Sequence, residues 1–279
     1  MKIKVAILAV DNKPNTAIFF DALLRSLEFF SPISERLDIT VIGEVNAKLR
    51  GSLNVHTPEE VCQVSSFPGA LSPWYREQLA GLYFAAGSAA DYSLVLPVGA
   101  FAISPLSINS LLPRLRARTT WEAHFFHPEW WGNAKSITRR LPPHSYEGPT
   151  VFPGILNGQL ARWALDIVRR EHACDSFMVL SDLALSGRDW SAMSVYATAA
   201  GSRFMMHHHD PFASKGLALM SEQVLWSGSQ LPAFDPAHRT GNDSGLFTYV
   251  HLDEISEAER VLSRLFACLK PYLGHQKPQ

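Results

Sequence analysis

Apolar positions along the chain repeat with two periods, about 3.6 residues and two residues, and the switches between them outline an α/β order. Residues 4–10 (KVAILAV) are an apolar run without charge after Lys4, as expected of a strand covered on both faces. The polar stretch 11–15 breaks it, and residues 16–30 then place Phe19, Leu23, Leu27 and Phe30 on one side of a helix. Residues 37–43 (LDITVIG) predict a second strand and 53–56 a third. From 74 to 106 the pattern gives an amphipathic helix, a turn at 87–91 (GSAAD) and a short buried strand at 92–96 that stops on Pro97-Val98-Gly99. Further on, it predicts a short helix over 105–118, a strand over 119–126 (TTWEAHFF), and an amphipathic helix over 156–170. A strand-like return follows at 204–209, then a helix over 255–272 with Val261, Leu262, Leu265 and Leu269 in a stripe, and a frayed tail at 274–279. The βαβ opening implies a nucleotide-binding type of α/β sheet. Ligands of such sheets gather outside the carboxyl ends of the strands, so residues 97–99 are expected to border the site.

Composition narrows the classes. With 279 residues, 47% of them hydrophobic, and a formal charge of −1, the chain can bury a full core and is neither disordered nor a global binder of polyanions. Cys62, Cys174 and Cys268 are odd in number and far apart, which makes no disulfide framework or zinc knuckle and points to a reducing, cytoplasmic setting. The short apolar run near the N-terminus is no signal peptide, and no stretch approaches the ~20 apolar residues of a membrane span. Dinucleotide and P-loop glycine patterns are absent, as is the G-x-S-x-G of a hydrolase. Arg114, Arg116, Arg118 and Arg139-Arg140 form short basic clusters that suit a sugar phosphate or a solvated face as well as nucleic acid, and no nucleic-acid partner is expected.

The order W-Y-x-x-Q-L at 74–79, D-Y-x-L-V-L at 91–96 and a three-residue tip resembles a family of small bacterial glycosyltransferase-like proteins of GT-A fold. Later segments carry the likeness on: His127-Pro128-Glu129-Trp130-Trp131, and 187–201 with Trp190, Ser191 and Tyr196. The resemblance implies an α/β fold with a mixed, mainly parallel sheet flanked by helices. It implies one domain over 1–279, with a nucleotide-binding half at 1–100 and an acceptor half with the C-terminal helix at 101–279. The implied activity is transfer of a sugar from a nucleotide-sugar donor to a glycan or small-molecule acceptor. The family's tip is an Asp-x-Asp metal motif, here Pro97-Val98-Gly99; its helix lysine is Gly81 and its later glutamate Ala192. Either other residues carry the reaction, or the chain is a degenerate relative that binds a sugar, a nucleotide or a partner enzyme.

The candidate residues follow. Asp11, Asn12, Trp74, Gln78, Pro97, Val98 and Gly99 are the donor side, Asp11-Asn12 being equally readable as a turn. His127, Trp130, Trp190 and Ser191 are the acceptor side, the tryptophans serving either as sugar-stacking faces or as core. His124 and His127 are structural or acceptor-side rather than a zinc pair. Asp189 is a base or a helix cap. In the absence of the acidic pair, His209 and Lys215 are candidates to balance the diphosphate, and His207, His209 and Asp210 to ligate a metal, against the alternative of a solvent-facing polar turn. The cofactor is open between none and a divalent ion, manganese or magnesium.

Overall fold

A strand buried on both sides needs apolar residues at successive positions, and the first strand has them from Val5 to Ala9. In the computed structural model, which describes residues 1–10, 15–31, 37–43, 53–210, 218–237, 243, 245–252 and 257–270, β1 (Ile3–Ala9) is buried from Val5 to Ala9. Val5, Ile7 and Ala9 enter one hydrophobic core, while Ala6 and Leu8 enter a second on the opposite face. Helix α1 (Thr16–Phe30) lays Phe19, Phe20, Leu23 and Leu27 onto the first core. Strands β2 (Asp38–Gly43) and β3 (Asn54–His56) extend the sheet in parallel on one side of β1. Short helix α2 (Pro58–Cys62) starts with a capping box between Thr57 and Glu60. Helix α3 (Pro73–Gly87) returns the chain across the second core to β4 (Tyr92–Pro97), which pairs in parallel with β1.

The tip at 98–99 passes directly into β5 (Ala100–Ala102). Helix α4 (Ile108–Leu111), strand β6 (Glu122–Ala123), helix α5 (Pro128–Thr138) and strand β7 (Glu147–Gly148) follow. Strand β8 (Gly154–Asn157) pairs antiparallel with β4 and closes a five-stranded sheet of order β3-β2-β1-β4-β8. Helices α6 (Gly158–His172), α7 (Ser176–Leu185) and α8 (Ala192–His208) pack on the second core. Strands β9 (Met220–Leu225) and β10 (Phe247–Val250) join β5 in a three-stranded sheet of order β5-β10-β9, and α9 (Ala258–Ala267) covers the first core through Val261 and Leu265. The result is a mixed α/β fold whose main sheet is mostly parallel and flanked by helices, as the sequence leads one to expect. Among the described residues no helix is long and apolar enough to cross a membrane.

Two local expectations are corrected. Residues 119–126 hold only the two-residue strand β6 and then a 3-10 turn at His124–Phe126, because Phe125 and Phe126 face solvent rather than a sheet interior. Residues 204–208 are the last part of α8, not a strand: Met205 is buried while Phe204 and Met206 are exposed, the one-in-three burial of a helix. Gly201, at φ 70° and ψ 172°, interrupts α8 and redirects this last segment.

Candidate active site at the carboxyl edge of the sheet

Chain order reverses between β1 and β4, since β2 and β3 lie to one side of β1 and β4 to the other. Such a reversal opens a crevice beyond the carboxyl ends of the two strands. Pro97, Val98 and Gly99 line it with Leu8, Ala9 and Thr16. The crevice widens into a recess of about 440 Å³ between α3, α5 and the second sheet. Of the residues expected at the site, the structure brings Trp74, Gln78, Pro97, His127 and Trp130 together here.

One wall is a stack of rings. His127 lies on Trp130 with centroids 3.8 Å apart and planes at 6°, and Trp130 lies on Trp74 at 5.4 Å and 29°. Pro128 at the start of α5 fixes the backbone that sets His127 and Trp130 side by side. Trp74 sits in the first turn of α3, behind Pro73. Tyr249 on β10 and Trp226 just after β9, 5.5 Å apart, also line the recess. Two acidic residues also line the recess, Glu77 on α3 and Glu122 on β6. The Thr150 hydroxyl donates a hydrogen bond to Glu122 Oε2. An adjoining recess of about 320 Å³ shares Glu122, Phe152, Trp226 and Tyr249 and extends toward Thr120 and Ser221.

The sequence reading misses Glu77, Glu122, Trp226, Tyr249 and His251. Glu77 was within reach, because three residues after Trp74 on a helix is the same face. Glu122 lies in the 119–126 segment and the other three much further along the chain, and no local pattern joins any of them to the tip.

Several predicted site residues are engaged within the fold or lie elsewhere. Gln78 borders the recess but is 3% exposed, and its Oε1 accepts the Ala192 N–H at 2.9 Å, which satisfies an amide at the start of α8. Trp190 is fully buried and donates from Nε1 to Leu180 O; Ser191 is fully buried and forms the α8 capping box with Ser194. Neither presents surface to an acceptor. Asp189 caps no helix: its Oδ1 accepts the Tyr75 hydroxyl at 2.6 Å, and burial together with that carboxylate pushes the Tyr75 phenol up. His124 stacks on Trp131 at 4.0 Å, so it and His127 serve different tryptophans. Asp11, Asn12 and Lys215 lie outside the described residues.

The histidine run is at the other end of the sheet. His207 and His208 line a basin beside Met1 and Tyr92, where β1 and β4 begin. His209 is fully buried, with both ring nitrogens used. The Thr119 hydroxyl donates to Ala117 O at 3.4 Å and is therefore an acceptor toward His209, which leaves Nε2 to accept the Tyr196 hydroxyl proton at 2.7 Å, while the Tyr196 oxygen accepts the Asn157 N–H at 3.0 Å. Nδ1–H then donates to Thr119 Oγ1 at 2.9 Å. Burial, and secondarily His208, depress the His209 pKa to about 3, so the ring is neutral and has no lone pair left for a metal. Asp210 is buried beside Arg118, whose pKa burial lowers and Asp210 raises.

The tip does not fit the metal of an Asp-x-Asp site. It carries no donor side chain, and Gly99 O accepts the Val250 N–H at 2.9 Å. A Cβ on Gly99 would stand 2.0 Å from Val250 O. Likewise a Cβ on Gly81 would stand 2.6 Å from the Phe152 ring, so the lysine of the resembling proteins has no room there. Among the described residues no group of three or more His, Cys, Asp or Glu is placed to hold a metal ion.

Two solved glycosyltransferases are similar in structure. A galactosyltransferase, LgtC, in complex with donor and acceptor sugar analogs, matches with a TM-score of 0.45 and 13% identity over 94% of both chains. The apo form of mouse xyloside xylosyltransferase 1 matches with a TM-score of 0.49 and 10% identity over 91% of this chain and 99% of that one. No curated protein matches the sequence. Residues 28–275 match the family described as a family of unknown function, DUF6492, and the chain therefore belongs to that family.

Proposed function

We propose that this protein binds the sugar of a nucleotide-sugar donor in the carboxyl-edge cleft and transfers it to an acceptor hydroxyl, as a glycosyltransferase of GT-A type. The observation that carries the reading is that the His127–Trp130–Trp74 stack lines one recess with Glu77 and Glu122 at the strand-order reversal. An outer face of the stack can pack on the C–H face of a sugar, and carboxylates accept hydrogen bonds from its hydroxyls. In direct transfer the acceptor oxygen bonds to the anomeric carbon as the bond to the diphosphate breaks, and the acceptor's proton goes to a carboxylate. Glu122, held by Thr150, is the proposed base, in place of Asp189. The nucleotide sits toward residues 1–100 and the acceptor toward 101–279. The tip offers no side-chain ligand for a metal, and Lys215 is the proposed cation for the leaving diphosphate.

A second reading, binding without transfer, is favoured by the Gly99–Val250 backbone contact, which leaves no space for a carboxylate where the resembling enzymes carry one. One experiment separates the two. The chain is melted with a panel of nucleotide sugars differing in base and sugar, and positive donors are assayed for release of nucleoside diphosphate. A donor at a hundredfold excess over its Kd stabilises by ~2.7 kcal/mol. Binding with turnover that Glu122→Gln abolishes supports transfer, and binding without turnover supports the second reading. If no donor shifts the melting transition, both donor-based readings fail.

A further inference from the structure

The opposite edge of the sheet carries a basin of about 760 Å³ that the proposed transfer does not use. Five basic side chains line it from three separate elements: Arg114 and Arg116 from the loop after α4, Arg162 from α6, and His207 and His208 from the end of α8. The loop and the helix end are tied together, because the Ala117 N–H donates to His208 O at 2.8 Å and the Tyr92 hydroxyl lies 3.3 Å from His208 Nδ1. Arg114 and Leu115 take left-handed backbone angles, φ 54° and 65°, in that loop. Arg162, which lines the basin, is braced by its Nη1, which donates to Ala86 O at 2.8 Å and Ser88 O at 3.4 Å; its Nε and Nη2 make no hydrogen bond to described residues.

Counter-charge is scarce. Among the described residues no carboxylate pairs with Arg114, Arg116 or Arg162, and the carboxylate of the lining Asp91 accepts the Lys2 backbone N–H at 2.8 Å. The first amides of α6 are also engaged, Gly158 N–H with Asp91 O and the next two with the Asn157 side chain, so an anion here is held by side chains rather than by the helix end. Three permanent cations around one open basin repel one another until an anion enters, and a guanidinium fork matches the oxygens of a phosphate two at a time. We propose that this amino-edge basin is a binding site for a phosphate-bearing ligand, separate from the sugar cleft.

The phosphate could be free or could belong to a lipid surface, since Leu115 and Met1 are exposed at the rim. The test titrates the full chain with pyrophosphate by calorimetry at fixed ionic strength. In parallel, the chain is sedimented with phosphatidylcholine vesicles with and without phosphatidylglycerol. Arg114→Gln/Arg116→Gln removes two exposed side chains that make no hydrogen bond to described residues, so the fold should be retained. Binding should weaken by about tenfold or more in this variant, recover in part in Arg114→Lys/Arg116→Lys, and be unchanged in His127→Ala at the other edge. Pyrophosphate binding alone assigns a free ligand; binding only to vesicles with phosphatidylglycerol assigns a lipid phosphate; binding of both supports the phosphate group as the recognised element. The proposal is overturned if neither probe binds the wild type, or if the glutamine variant binds as tightly as wild type. It is overturned too if His127→Ala abolishes binding, which would place the anion in the cleft.

Discussion

The two ends of the main sheet have opposite chemistry. At the carboxyl edge, rings and carboxylates surround the tip at 97–99; at the amino edge, arginines and histidines surround the starts of β1 and β4. The carboxyl edge is assembled from chain segments more than 150 residues apart, from Trp74 to Tyr249. At the amino edge the histidine run divides: His207 and His208 face the basin, while His209, one residue on, closes a buried hydrogen-bond chain. The difference teaches that adjacent residues of one type need not share a role. The helix ends at His208 and the backbone becomes extended at His209, which sends neighbouring side chains to different surroundings.

The comparison can be broken most forcefully at the tip. Gly99→Asp should destabilise the protein by at least ~3 kcal/mol in urea unfolding, because the new Cβ meets a backbone carbonyl that cannot rotate away. It should bring no gain in manganese affinity by titration calorimetry. A folded variant with a tight manganese site would mean that the tip opens as an Asp-x-Asp loop does.

Next in size is the buried histidine. His209→Ala leaves the Tyr196 and Thr119 hydroxyls without their partner in a dry site, at a cost of ~2–5 kcal/mol. The same residue gives a pH signature. Its folded pKa is depressed to about 3 from the usual 6.5, so its contribution is complete above pH 6.5 and is lost as pH falls toward 3. Wild-type stability should therefore drop relative to His209→Gln by ~1.4 kcal/mol per pH unit within that window. Parallel curves for the two proteins would show that the ring is accessible to protons in the folded state.

A smaller effect is expected at the aromatic wall. Trp130→Ala should weaken sugar-donor binding by ~1–2 kcal/mol, about tenfold, and leave pyrophosphate binding at the amino edge untouched. Loss of both affinities together would show that the two edges are one coupled site. Smallest of all is Asp189→Asn, which keeps an oxygen for the Tyr75 hydroxyl and should change stability by less than ~1 kcal/mol, with turnover within about threefold. A hundredfold fall in turnover with an unchanged melting temperature would restore Asp189 as the base.

Much of the fold was legible in the sequence because local patterns enforce it. Residues 16–30 repeat at the helical period, and the structure puts a helix over the same residues. The near-continuous apolar runs at 5–10 and 92–96 announce strands with helices on both faces, since only such strands have no polar side to show. From these the position of 97–99 beside a crevice followed, with Trp74 on the same wall. Tertiary structure decided the rest. Whether Trp130 or Trp190 is a ligand surface depends on what packs over each ring: α7 and α8 bury Trp190, while Trp130 lies at the recess with His127 against it. Whether His209 is a ligand or a buried hydrogen-bonding group depends on Tyr196 and Thr119, which lie 13 and 90 residues away along the chain. Periodicity reports which face of an element is apolar; it carries no information about the partner that covers that face, and in this protein that partner separates an aromatic wall lining a recess from a core.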